Sequence, residues 1–394
     1  MSKTVYVGMS GGVDSSVSAL LLKEQGYKVV GVYMKNWSKD LPGMKCPWAE
    51  DLADAKRVAV KLGIDFEVWD FEKEYYKKVV EYMLSEFKKG NTPNPDIMCN
   101  QEIKFKLFYE KARKAGADYI ATGHYARIIW TGPAAASSPI LAKARPGVPQ
   151  AASPVHVMLA RAKDENKDQT YFLYRISEEA LSHTIFPIGE MLKPDVKKLA
   201  EKHGLHNAYK KESMGVCFVG EVGMKDFLKE YIDIKPGEIR EIETEKVLGY
   251  HEGAVFYTIG QRHGLYLDGE KGVVNDGMPY YVVKKDIKNN IVYVSKNINH
   301  EAIWTRELVL KDVLLRTGGR AWGTPSRALA RMGEDARTGP VRIMVRLRHR
   351  APLIPATFDG KTLHFENEIK RPAAGQSAVL YDKEICLGGG IIAE

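Results

Sequence analysis

Residues 4–9 form a short run of β-branched and aromatic side chains, and residues 15–25 switch to helical spacing through Val17, Leu20, Leu21 and Leu22. Gly26 ends that helix, and residues 28–34 are again strand-like. A strand-like run at 66–71 precedes a helical pattern over about 74–88, and 119–122 is strand-like after a helix containing Phe105 and Leu107. Strands separated by helices imply parallel βαβ units, with a sheet covered on both faces and ligands at the carboxyl ends of the strands. The expected class is α/β: a parallel-sheet domain, then a small central domain and a C-terminal β-barrel.

Composition shifts divide the chain further. Residues 132–155 carry five prolines and many alanines and serines without clean periodicity, which reads as a flexible surface insertion. Patterning resumes at Val157. Residues 221–277 are rich in glycine and charge, and after Pro279 the pattern becomes all-β, with hairpin signals at Asn289–Asn290 and Asp359–Gly360. The expected domains are 1–220 with 133–155 as the insertion, 221–279, and 280–394. In the last, Arg342, Arg346, Arg348 and Arg350 fall on even positions and Ile343, Val345 and Leu347 on odd ones. A strand of period two would put the four arginines on one face, a basic ribbon.

Charge points the same way. The chain has 58 lysines and arginines against 50 acids, and the stretch from Arg316 to Arg350 holds nine arginines against Glu334 and Asp335. Arginine at that density suits phosphate-backbone contacts, so a nucleic acid partner is expected over a merely solvated face. No apolar run approaches the roughly 18 residues that span a bilayer. Only three residues precede the first strand-like run, which leaves no room for a targeting segment. A cytoplasmic monomer without membrane contact is expected. The four cysteines, Cys46, Cys99, Cys217 and Cys386, show no CxxC spacing, which argues against a zinc site or an iron–sulfur cluster. No protein-bound structural metal is expected.

The most specific string is Gly8-Met9-Ser10-Gly11-Gly12-Val13-Asp14-Ser15-Ser16, between the first strand and the first helix. Glycines permit a tight turn and close approach to a ligand, while serines and the helix terminus aim N–H and O–H donors at one point favourable to an anion. Asp14 either orients the loop or helps hold a magnesium ion beside phosphates. Without a GK[ST] ending this is not a loop for γ-phosphate transfer. It resembles the loop of the PP-loop ATP pyrophosphatases, the adenine nucleotide alpha hydrolase-like enzymes, which cleave ATP between α and β phosphates and adenylate a substrate oxygen.

Cys99 follows Asn94-Pro95-Asp96-Ile97-Met98, where two prolines, Pro93 and Pro95, set an extended turn before a helix. A thiol near a helix start is acidified and nucleophilic, although a buried, inert cysteine is as common. Cys217 lies in Ser213-Met214-Gly215-Val216-Cys217-Phe218. Taken with the loop, these strings resemble the tRNA-specific 2-thiouridylases over nearly the whole chain: GMSGGVDSS, Met34-Lys35-Asn36-Trp37, NTPNPDIMCNQEIKF from Asn91, ATGHY from Ala121, KDQTYFL from Lys167, YTIGQRHGL from Tyr257, and 375–392.

The resemblance implies ATP, with magnesium, at Gly8, Met9, Ser10, Gly11, Gly12, Val13, Asp14, Ser15, Met34 and Gly123. It implies a persulfide on Cys217 supplied by a sulfur-donor protein, adenylation of the wobble uracil C2 oxygen, and resolution by Cys99 through a Cys99–Cys217 disulfide; Cys99, Cys217 and Asp14 are the implied catalytic residues. Asn94, Pro95 and Asp96 would meet the target base, and His124, Lys167, Asp168, Gln169, Arg348, His349 and Gln376 the tRNA. The chain departs from the family pattern at Met214, where a threonine is usual, at His349, and in long segments near 140 and 317–339. Two other readings share these residues. A PP-loop synthetase acting on a small molecule would need neither cysteine, and a tRNA-binding protein with a vestigial loop would lack ATP affinity.

Overall fold

The computed structural model describes residues 2–40, 46–131, 156–211, 224–265, 267, 278–316 and 340–393. The insertion expected at 133–155, the arginine-bearing segment 317–339, and Cys217 with Met214 lie outside the described residues.

In chain order the first part contains β1 (Thr4–Gly8), α1 (Val13–Glu24), β2 (Lys28–Lys35), α2 (Trp48–Leu62), β3 (Asp65–Asp70), α3 (Pro95–Met98), β4 (Tyr119–Thr122), β5 (Ala126–Thr131), β6 (His156–Arg161), β7 (Thr184–Ile185) and α4 (Lys193–Lys202). A five-stranded sheet runs β3-β2-β1-β4-β7, and each neighbouring pair is parallel. Alternation along β1 explains its two buried faces. Tyr6 packs with Val30, Val32 and Trp69, while Val5 and Val7 pack with Val29, Leu20 and Ala121 on the other side. Because β1 and β4 are adjacent and parallel, the loops leaving their carboxyl ends, 9–12 and 123–125, meet at one edge. The helical pattern expected over 74–88 is present but interrupted by a π-helical turn at Tyr76–Val80.

The remaining strands are β8 (Gly237–Glu241), β9 (Val247–His251), β10 (Tyr281–Asp286), β11 (Ile291–Ser295), β12 (Trp304–Leu315), β13 (Val341–Arg346), β14 (Ile354–Phe358), β15 (Thr362–Lys370), β16 (Ser377–Asp382) and β17 (Ile385–Ile392). Strands β12-β15-β14-β13-β16-β17 form a closed six-stranded barrel, since β17 also pairs with β12. Two groupings differ from the sequence pattern. β10 and β11 form the expected hairpin but pair with β8 in a four-stranded central sheet, not with the barrel. The β5–β6 hairpin extends the barrel through β17, not the parallel sheet. Hairpin signals report which strands turn back on each other, and they carry no information about the sheet those strands join.

The expected four-arginine ribbon is corrected. Ile343, Val345 and Leu347 are buried as their parity requires, and Arg342 is exposed. Strand β13, however, ends at Arg346, and Arg346 is only 5% exposed. Its Nη1 donates to Asp168 Oδ2 at 2.6 Å. Arg348 and Arg350 lie past the strand in an exposed turn, with Arg350 at φ +62°. Asp168, 1% exposed, also accepts from Thr170 Oγ1 at 2.9 Å and from the Ala162 amide at 3.1 Å. This partnered ion pair joins the barrel to the 164–173 stretch. Removing Arg346 leaves the buried Asp168 carboxylate with only the more distant Arg161 Nε, 3.9 Å away, as a cationic partner, so Arg346→Met is expected to destabilise the fold by about 3 kcal/mol in urea unfolding; a loss below about 1 kcal/mol would contradict the assignment.

Candidate active site

The loop after β1 is held by its own backbone and side chains. Gly11 sits at φ +77°, and a Cβ there would fall 2.4 Å from the Asp51 carbonyl oxygen. A Cβ on Gly123 would meet the Ser15 nitrogen at 2.6 Å, so the turn after β4 lies directly against the start of α1. Both positions require glycine. Ser15 Oγ accepts from the Ser10 amide at 3.2 Å and donates to the Gly12 carbonyl at 3.0 Å; Ser16 Oγ donates to the same carbonyl at 2.9 Å. Met9 and Val13 turn their side chains into the core, leaving main chain at the loop surface. Gly8 lies close beneath Met34, whose Cε would be 2.9 Å from a Cβ there. The result is a compact turn feeding a helix amino terminus, a geometry suited to an anion.

Asp14 is fully engaged. Lys193 Nζ donates to Oδ1 and Oδ2, each at 2.8 Å, and Tyr125 Oη donates to Oδ1 at 3.0 Å. Those contacts do not fit a magnesium ligand, and among the described residues no group of three or more His, Cys, Asp or Glu could hold a metal ion. Sequence reasoning gave no role to Lys193, nor to Asn207, whose Nδ2 donates to the Gly11 carbonyl at 2.9 Å and to Ser16 Oγ at 2.8 Å. Lys210 likewise pairs with Asp51 and Asp54 at 2.7 and 2.6 Å. None belongs to a recognisable string, since each acts from a distant segment that folding brings to the loop.

The thiol region lies on the opposite face of the same sheet. Asn94 caps α3, its Oδ1 accepting from the amides of Asp96 at 3.2 Å and Ile97 at 3.4 Å, and Pro95 occupies the first turn. Cys99 is therefore one turn inside, not at the helix start, and only 1% exposed. A π-helical stretch Cys99–Phe108 continues from it. Burial pushes the Asp96 carboxyl up, with Lys104 opposing. Phe105 contacts His124 with ring centroids 5.8 Å apart, which connects the thiol helix through Gly123 to the loop after β1.

The residues expected to meet RNA divide by environment. Asp168 is interior and committed to Arg346, so direct contact is corrected to a supporting role. Gln169 Oε1 accepts from the Tyr125 amide at 2.9 Å, while Lys167 beside it is half-buried. Arg348 is exposed, and His349 packs on Phe172 with centroids 4.5 Å apart. Gln376 Nε2 donates to the Thr92 carbonyl at 2.7 Å, and the Thr92 amide donates to the Ala374 carbonyl at 2.8 Å. The barrel thus clamps the stretch leading into Asn94–Asp96. Cys46 is half-buried and Cys386 fully buried, and burial pushes the Cys386 thiol up to about 11, as suits inert core cysteines.

Comparison with known proteins places this architecture. Residues 3–221 match the family model described as the tRNA methyl transferase HUP domain, 225–296 the tRNA methyl transferase PRC-barrel domain, and 327–392 the aminomethyltransferase beta-barrel domain. The tRNA-specific 2-thiouridylase MnmA of Listeria monocytogenes serovar 1/2a is 42% identical over 389 residues, covering 98% of this chain and 94% of that protein. This chain belongs to the tRNA-specific 2-thiouridylase family. Members from Geobacillus kaustophilus (43% over 395 residues, 100% and 96% covered) and Idiomarina loihiensis (43% over 397, 99% and 96%) match equally along their lengths. The family assignment therefore rests on all three units together.

Two histidines at this thiouridylase-family site are held neutral. Burial, then Lys104, holds His124 well below its usual 6.5. Burial, then Arg350, brings His349 down to about 4. NMR titration is expected to show both imidazoles neutral at about pH 6, since their charged forms are disfavoured. A midpoint near 6.5 for either ring would contradict the packing described.

Proposed function

We propose that this chain is a tRNA 2-thiouridylase that converts the wobble uridine of tRNA to 2-thiouridine at the expense of ATP, releasing AMP and pyrophosphate. The single observation that carries the reading is the linkage, within a chain that matches a family member over 98% of its own residues and 94% of that protein's, of the turn suited to an anion to the Cys99 helix through Gly123, His124 and Phe105. A urea-like carbonyl is a poor electrophile, so its oxygen must become a phosphate ester before sulfur can replace it.

In this reading the loop from Gly8 to Ser15, with Met34 and Gly123, holds ATP while the C2 oxygen attacks the α-phosphorus and pyrophosphate leaves. The terminal sulfur of a Cys217 persulfide, loaded by a sulfur-donor protein, then attacks C2 and AMP departs. The Cys99 thiolate attacks the Cys217 sulfur, which leaves the terminal sulfur on C2 and forms a Cys99–Cys217 disulfide. An external dithiol reductant restores both thiols.

Asn94, Pro95 and Asp96 receive the extruded base, at an unstacking cost of a few kcal/mol offset by contacts to it. Lys167, Gln169, Arg348, His349 and Gln376 lie along the RNA path. The protein works as a cytoplasmic monomer; no described helix is long and apolar enough to cross a membrane. Magnesium accompanies ATP in solution and is assigned no protein ligand.

Cys99→Ser and Cys217→Ser are each expected to abolish 2-thiouridine in tRNA, read by mass spectrometry of nucleosides, while leaving the melting temperature and ATP binding intact. A single variant that still thiolates with multiple turnovers would refute the two-thiol scheme.

A further inference from the structure

Asp14 occupies the second position of α1, inside the turn that is read above as the polyphosphate site. A bare carboxylate there would repel the ligand and offset what the helix terminus contributes. The structure answers that charge from outside the motif. Lys193 opens α4 with its side chain 8% exposed, and its ammonium reaches both Asp14 oxygens at 2.8 Å. Its position is fixed three ways. The Lys193 amide donates to Asp164 Oδ2 at 2.9 Å, Nζ lies 5.8 Å from the Tyr125 ring centroid, and α4 packs along α1. Beyond the far end of the same helix, Asn207 holds the Gly11 carbonyl and Ser16.

We propose that Lys193 is a positioning residue of the nucleotide site: it is the fixed counter-ion that neutralises Asp14 and directs it away from the anion, so that Asp14 orients the loop and is not a metal ligand. The proposal rests on the ATP reading above. An ordinary packing role would make any loss upon substitution depend on side-chain volume. A counter-ion role makes it depend on charge, both of the protein and of the ligand.

The test is calorimetric titration of the full chain with ATP and with adenosine, each with and without magnesium, for the wild type, Lys193→Met, Lys193→Arg, Asp14→Asn and the double variant Asp14→Asn/Lys193→Met. Lys193→Met is expected to weaken ATP binding about ten-fold or more, most severely without magnesium, and to leave adenosine binding unchanged. Lys193→Arg, which keeps the charge, stays within about three-fold of wild type. The double variant, with neither charge, recovers ATP affinity relative to Lys193→Met, and it serves as the folded control if the single variant unfolds. Asp14→Asn keeps the wild-type dependence on magnesium. Unchanged ATP affinity in Lys193→Met, no recovery in the double variant, or loss of magnesium dependence in Asp14→Asn would overturn the proposal while leaving the ATP reading standing. A wild-type chain that binds no ATP would overturn both.

Discussion

The whole site depends on two backbone segments approaching more closely than any side chain would allow. The turn after β4 presses Gly123 onto the Ser15 amide, and Gly11, in the left-handed region, lies against the Asp51 carbonyl. The first approach is possible because β1 and β4 are hydrogen-bonded parallel neighbours, so their exits share one edge; the second sets the loop against the first turn of α2. Once they are met, the first turn of α1, His124 and the Cys99 helix are brought into one connected group. A methyl at Gly123 would separate the turn after β1 from the segment that leads to the thiol, and one at Gly11 would push the same turn off α2.

The rest of the molecule holds that arrangement from two directions. Lys193 and Asn207 brace the loop from the start of α4 and from the turn beyond its end. The barrel braces the stretch leading into Asn94, through Gln376 and Ala374 on Thr92. It also braces the 164–173 stretch, through Arg346 on Asp168 and through Tyr171 Oη donating to the Ser377 carbonyl at 3.0 Å. The barrel thus positions the catalytic half as well as presenting Arg348 to solvent. Its extension by the β5–β6 hairpin makes the two halves share a sheet, which explains how a distant C-terminal unit can control residues beside β4.

Local signals in the sequence were enough for the parallel sheet, the glycine turn after β1 and the hairpins, because each depends on residues close along the chain. Gly11 and Gly12 declare a turn, and alternation in TVYVG declares a buried strand. Long-range partnerships were not legible. Arg346 has the same parity as Arg342, and only the burial of Asp168 beneath the barrel decides that it turns inward. Lys193 belongs to no motif, and its partnership with Asp14 arises only once α4 is packed on α1. Cys99 is expected at or near a helix start, and it lies one turn past the Asn94 cap. For Arg346 and Lys193 a tertiary contact decides what neighbouring residues could not specify.

The central claim is that the uridine C2 oxygen becomes the leaving group by capture of the ATP α-phosphorus. Transfer RNA carrying oxygen-18 at C2 of the wobble uridine, incubated with ATP, a persulfide donor and the wild-type chain, tests it directly. The account predicts that the label appears in AMP in equal amount to the 2-thiouridine formed. Label found in water or inorganic phosphate, with AMP unlabelled, would contradict it.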